Sequence, residues 1–172
     1  MLPQKGKSLK EWVKIYEEKT GDKAELPAGY RLFYLAERGF ASMKPSLEDK
    51  MMVVYQVCGD AKFWRDHAEL YAATMGLDYV ASICTRHIKP YIRGFGWSII
   101  SEQCINGQYR FNCQDSIGRK VIITHKDIND ITGEPEYWVT HYLNEKATES
   151  LNFAPKGGGT DVENTEETVK KR

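Results

Sequence analysis

The chain has no excess charge of either sign: Lys plus Arg and Asp plus Glu stand at 24 each in 172 residues, so the formal net charge at pH 7 is zero. Without a global field the protein is not drawn to nucleic acid or to an anionic membrane, and nucleic acid is not an expected partner. Long hydrophobic runs are missing as well. No stretch approaches the roughly 20 apolar residues of a spanning helix, and residues 1–10 hold no hydrophobic signal core, so the expectation is a cytoplasmic protein with no membrane partner. Cysteine is sparse. Cys58, Cys84, Cys104 and Cys113 show no C-x-x-C spacing and fall in strand-like segments, which reads as reduced core thiols. Cys104 and Cys113 could face each other across a hairpin, but no pair of histidines accompanies them and no metal is expected.

The remaining composition, with 41% hydrophobic and 12% aromatic residues, supplies one hydrophobic core but not two. A single domain over residues 1–151 is expected, followed by a disordered tail over 152–172, where Lys156 and Gly157 to Gly159 lead into an apolar-poor stretch. Ser8 with Glu11 three residues on forms a capping box, after which Leu9, Trp12, Val13 and Tyr16 recur at helical spacing until Gly21. Residues 30–35 and 39–43 are strand candidates around Ala36-Glu37-Arg38, and 45–50 is a polar loop. The run 51–57 is apolar almost throughout, as in a central strand covered on both faces. A helix begins near Lys62, with Phe63, His67, Leu70, Tyr71, Thr74 and Met75 on one stripe and Arg65, Asp66 and Glu69 off it, and Gly76 ends it. His67 on this stripe reads as a core histidine. Residues 79–85 form the next buried strand, parallel to the first because a helix intervenes. After a short helix over 87–95, strands at 97–103, 109–113 and 120–125 follow, turned by Asn106-Gly107 and by residues 116–119. Residues 135–143 read as a last strand or a helix running to about 150, with a slight preference for helix from 145–149. The fold class is therefore α/β: a mixed central sheet with a parallel βαβ core, flanking helices and a C-terminal antiparallel meander.

The turn Cys58-Gly59-Asp60-Ala61 joins the first parallel strand to a helix, so free amides and the helix dipole face one spot suited to an anion. Lys62 and Arg65 lie in the first turn of that helix, where cations oppose the dipole unless an anion compensates them. Open α/β sheets place ligands at the carboxyl ends of their strands, which favours Arg86 and His87. Arg86, His87, Lys89 and Arg93 also form a small basic cluster that could contact nucleic acid. Trp12, Trp64, Trp97 and Trp138 read as core anchors, since no basic cluster interleaves with them.

On these residues, and on Tyr91-Ile92-Arg93-Gly94-Phe95-Gly96-Trp97, the segment 51–100 resembles the GCN5-related N-acetyltransferase (GNAT) family, whose members bind acyl-coenzyme A in the order strand, pyrophosphate loop, helix, strand, helix. Cys58-Gly59-Asp60-x-x-Phe63-Trp64 also resembles acetyltransferase-like proteins encoded in phage genomes. The resemblance implies an acetyl-coenzyme A donor held by Val54, Tyr55, Gln56, Val57, Cys58, Gly59, Asp60, Ala61, Lys62, Arg65 and Arg86. It implies amides of residues 54–57 as oxyanion donors, Tyr91 as the acid for the departing thiolate, Glu37 or His87 as a base, and a small-molecule or protein amine as acceptor. Self-association into a homodimer is left open. The family loop, Gln or Arg, two residues, Gly, one residue, then Gly or Ala, is only partly matched, because Phe63 and Trp64 add bulk beside it. The family tyrosine usually stands four residues before the Gly of Gly-Phe; counted from Gly96, Tyr91 is one position early, about 100° around a helix. The alternative is a catalytically inactive binding or accessory protein of the same fold, its old cofactor groove filled by Phe63 and Trp64.

Overall fold

The computed structural model describes residues 6–147, and the expected tail lies outside them. The elements run α1 (Leu9–Thr20), β1 (Arg31–Leu35), β2 (Gly39–Ser46), β3 (Met51–Gly59), α2 (Ala61–Thr74), β4 (Tyr79–Cys84), α3 (Ile88–Gly94), β5 (Ser98–Ile105), β6 (Gln108–Gln114), β7 (Arg119–Ile128) and β8 (Pro135–Lys146). All eight strands join one mixed sheet in the order β1-β2-β3-β4-β8-β7-β6-β5. The parallel pair is β3 with β4, linked by α2, and β5 to β8 form an antiparallel meander whose last strand returns to β4. No described helix is long and apolar enough to cross a membrane.

Local chemistry sets several boundaries. Glu11 N bonds Ser8 Oγ at 3.3 Å while the Glu11 carboxylate takes the Ser8 amide at 2.6 Å, the reciprocal cap read from the sequence, and Gly21 closes α1. Asn106 and Gly107, both at positive φ, make the β5–β6 turn. The β1–β2 hairpin turns through Ala36 to Arg38, and β2 extends to Ser46, into what the sequence presents as loop.

Two expectations are corrected. Residues 135–146 form a strand, not a helix: Tyr137, Val139 and His141 alternate into the core, and the strand supplies hydrogen-bond partners to both β4 and β7, which a helix could not do. Cys104 pairs with Tyr109 and Cys113 with Ile99, so the two thiols do not face each other; Cys104 is exposed on the edge strand while the other three are buried.

The buried side of α2 is also rotated from the predicted stripe. Trp64, Arg65, Ala68 and Ala72 are buried, whereas Leu70 is 67% exposed. Small alanines let the helix lie close on β3 and β4, and the Trp64 indole N–H reaches Arg38 O at 2.9 Å, which draws that ring inward.

Within the sheet, β3 carries a β-bulge. Ser42 pairs with Gln56 but Met43 with Val54, leaving Tyr55 as the extra residue. The bulge inverts the pleat. Met52, Val54 and Val57 pack in the cluster beneath α2, while Cys58 packs with Tyr16 and Phe40 beneath α1, and Gln56 ties down the loop after α1 through Lys23 O and the Glu25 amide. An unbulged strand would turn residues 52, 54, 56 and 58 to one face. At its far end β3 runs so close to β2 that a Cβ on Gly39 would sit 1.9 Å from Cys58 O, and one on Gly59 2.3 Å from Arg38 O.

Gly39→Ala is therefore expected to destabilise the fold by about 2 kcal/mol or more, from strain and forced separation of the strands. Gly76→Ala, at a similar positive φ with open space around its Cβ position, should cost only about 1 kcal/mol. Urea denaturation of the two variants checks the difference.

Candidate functional site

Parallel pairing of β3 and β4 stops at Val54 with Ser82, although β3 continues to Gly59 and β4 to Cys84. Beyond that point the strands part, and a cleft of about 800 Å³ opens between them. It is lined by Val54, Tyr55, Gln56, Val57 and Gly59 of β3, by Ala61, Lys62 and Arg65 of α2, and by Arg86, His87 and Tyr91. The structure thus brings together most of the residues that the sequence singled out.

Three of them lie elsewhere. Cys58 points to the opposite face of the sheet and lies 3.6 Å from Trp12 O. Glu37 sits exposed in the β1–β2 turn, away from the cleft lining. Asp60 caps α2 itself: its carboxylate accepts the Phe63 amide at 3.0 Å and pairs with Arg38. The amide bond, and then Arg38, hold this carboxyl below its usual range. The positive end of α2 accordingly already carries an anion belonging to the chain, and Gly59 is needed for the close pass of β2 whether or not a ligand binds. The amides of Ala61 and Lys62 remain without intrahelical acceptors. Neither Phe63 nor Trp64 fills the cleft. Trp64, 2% exposed, lies in the core, and Phe63 packs edge-on against it.

Tyr91 is well placed despite its spacing. Its hydroxyl lies 3.4 Å from Ser82 Oγ, which accepts from Arg65 Nη1 at 3.1 Å. Burial pushes the Tyr91 hydroxyl up, partly offset by the Arg65 cation and the Ser82 hydrogen bond. It therefore keeps its proton at neutral pH. The nearby Cys84 thiol, pushed to about 11 by burial, stays protonated and unreactive. His87, at the N-cap position of α3 with no capping bond of its own, is exposed at the edge of the cleft. The basic cluster expected from the sequence is divided: Lys89 pairs with Glu102 at 3.4 Å, Arg86 and His87 line the cleft, and Arg93 lines a second pocket. Among the described residues no group of three or more His, Cys, Asp and Glu side chains is arranged to hold a metal ion.

Sequence reasoning missed two groups. Asp22, Glu134 and Glu136 bring carboxylates to the cleft, the first two from the connections after α1 and before β8, which have no periodicity to announce them, and the third from the start of β8. The second group is a buried ionic network. His141, 1% exposed, sets Nε2 2.8 Å from Asp115 and Nδ1 3.2 Å from Glu69, and Arg119 bridges the same two carboxylates at 2.6 and 2.8 Å. The i,i+4 spacing of Asp115 and Arg119 across a Gly turn, and His141 in step with Tyr137 and Val139, were the available signals. Burial alone would raise the Asp115 carboxyl, but the Arg119 amide, the His141 ring, the Arg119 guanidinium and the Ile117 amide together hold it down to about 2. Glu69 is likewise held low against its burial, by His141 and then Arg119.

A carboxyl with a depressed folded-state pKa stabilises the fold above its unfolded value and loses that contribution as pH falls toward the folded value. For Asp115 the loss runs from about pH 4 down to about pH 2 and amounts to about 2 kcal/mol. Asp115→Asn should lower stability at pH 7 by about 3 kcal/mol, by taking the buried carboxylate away from Arg119 and from the His141 ring, and should flatten the acid limb of a pH-dependent denaturation series. No protein-family model, curated protein or solved structure matches this chain, so its functional reading rests on the cleft and its side chains.

Proposed function

We propose that the protein is an acyl-coenzyme A-dependent N-acyltransferase of GNAT-like arrangement, moving an acetyl group from acetyl-coenzyme A to an amine. The carrying observation is the parting of β3 from β4 past Val54, at the Tyr55 bulge, with Tyr91 among the residues that line the resulting cleft. A β3 backbone that has lost one neighbour offers polar groups to a ligand while its other neighbour keeps it straight. On this reading the pantetheine arm lies along β3 between the strands, and the phosphates meet the Ala61 and Lys62 amides with the cations of Lys62, Arg65 and Arg86.

The amine nitrogen attacks the thioester carbonyl carbon, with β3 amides stabilising the developing oxyanion. The new C–N bond forms and the C–S bond breaks. The departing thiolate takes the Tyr91 proton, and the amine proton leaves to His87 or to water. Burial suits Tyr91 to this role by keeping the proton in place until the thiolate needs it. The carboxylates of Asp22 and Glu134 favour an acceptor that arrives as a cation and gives up one proton to water before it attacks, whereas Glu136 is already paired with Lys126.

A second reading has its own observation. Asp60 with Arg38 occupies the end of α2 where a diphosphate would sit, which favours a non-catalytic binding or accessory protein of the same fold.

Titration calorimetry with acetyl-coenzyme A separates the two. The enzyme reading expects one-site heat and, at a hundredfold excess over Kd, about 2.7 kcal/mol of added stability. Tyr91→Phe should keep that binding while slowing thiol release, measured over a panel of primary amines, by about a hundredfold. Absence of both heat and thermal shift would leave the accessory reading.

A further inference from the structure

The reading of the large cleft uses the charge of Arg65 but leaves part of its hydrogen-bonding capacity unaccounted for. Arg65 is 6% exposed, and among the described residues its Nε and Nη2 have no hydrogen-bond partner. Its guanidinium lies 5.1 Å from the Trp97 ring centre and 5.9 Å from that of Phe95, which accounts for its faces but not for its N–H edge. Glu69, the carboxylate whose charge bears on it, is taken up by Arg119 and His141.

Arg65 also borders a second, smaller pocket of about 290 Å³, between α2, the end of α3 and the β6–β7 turn. Four cationic side chains line it, Lys62, Arg65, Arg93 and Arg119, with three carboxylates, Asp66, Glu69 and Asp115, and with His141. The four cations thus exceed the three carboxylates by one, and Glu69 and Asp115 are both engaged by Arg119 and His141, so that Lys62, Arg65 and Arg93 face Asp66 as the carboxylate outside that set. The Ser116 side chain adds a hydroxyl.

We infer that this pocket binds a phosphate monoester, received by the unpartnered edge of Arg65 with Lys62 and Arg93 closing over it. A tetrahedral dianion matches both the surplus of positive charge and the forked donors of a guanidinium. At about 290 Å³ the pocket is ample for a phosphate and the carbon that bears it. The inference does not depend on the acyltransferase reading.

The probe is inorganic phosphate, titrated calorimetrically into the full chain against a chloride buffer of matched ionic strength. One-site heat is expected. Arg93→Ala, at an exposed position, should weaken binding at least tenfold without moving the melting temperature in chloride, and Arg65→Gln should abolish it in whatever fraction folds. Repeating the titration with coenzyme A present identifies the source. Undiminished phosphate binding assigns the pocket to a separate phosphorylated ligand; displacement by coenzyme A but not by dephospho-coenzyme A assigns it to the 3′-phosphate of the coenzyme, and either result supports the inference. Displacement by both coenzymes alike would move the anion to the larger cleft and overturn it. So would absence of phosphate heat, or heat indifferent to Arg93→Ala, whatever acetyl-coenzyme A itself does.

Discussion

After Val54, β3 keeps one hydrogen-bonding neighbour and loses the other, and the arrangement of the site follows from this asymmetry. A strand abandoned on both sides would be a loop; a strand paired on both sides would offer no backbone groups. β3 escapes both outcomes because β2 grips it as far as Gly59, where the two glycines permit a contact that any side chain would break. The bulge at Tyr55 does the complementary work. By inverting the pleat it sends Val54 and Val57 beneath α2 and Cys58 beneath α1, so one strand is fixed by cores on both faces of the sheet while its free edge faces the cleft.

The second constraint is the placement of charge under α2. Buried ions cost several kcal/mol each unless matched, and the Asp115, Glu69, His141 and Arg119 set is matched internally, every member touching two others. Arg65, one turn before Glu69 on α2, is not absorbed into it. It rests on aromatic rings and donates to Ser82, which in turn lies beside Tyr91. A single buried cation thereby links the wall of the large cleft to the floor of the small one, and its charge bears on the hydroxyl to which the proposed chemistry assigns a proton.

Much of this was legible from residues alone, and the failures have physical causes. The cap at Ser8, the Asn106-Gly107 turn and the order strand, helix, parallel strand over 51–84 are written in local rules and appear in the structure. The bulge left no trace because Met51 to Gly59 is apolar at nearly every position, so a change of pleat parity alters no pattern. β8 was ambiguous because its aromatic residues fit either state and the decisive term, an unpaired edge on β4, is non-local. The face of α2 was misjudged because hydrophobicity ranked Leu70 above alanine, while close packing on the sheet favours alanine. Arg65 and Glu69 were placed off the apolar stripe, where a charged residue is normally exposed, so their burial was not foreseen; Arg65 is buried, and His141 of β8 lies against Glu69.

The end of α2 shows how anion recognition would differ here from a bare helix terminus. The Asp60 carboxylate, held by Arg38, offsets the dipole at its first turn, so the dipole attracts a further anion weakly. Positive potential on this side of the molecule then comes from side chains, from the exposed Lys62, Arg86 and Arg93 and the buried Arg65. Exposed cations are screened within about 8 Å at physiological ionic strength, whereas a desolvated one is screened much less. The encounter of an anion with this surface should therefore weaken as salt rises, while retention depends mainly on Arg65, whose Nε and Nη2 have no hydrogen-bond partner among the described residues. Specificity resides in that buried edge, and attraction in the three cations around it.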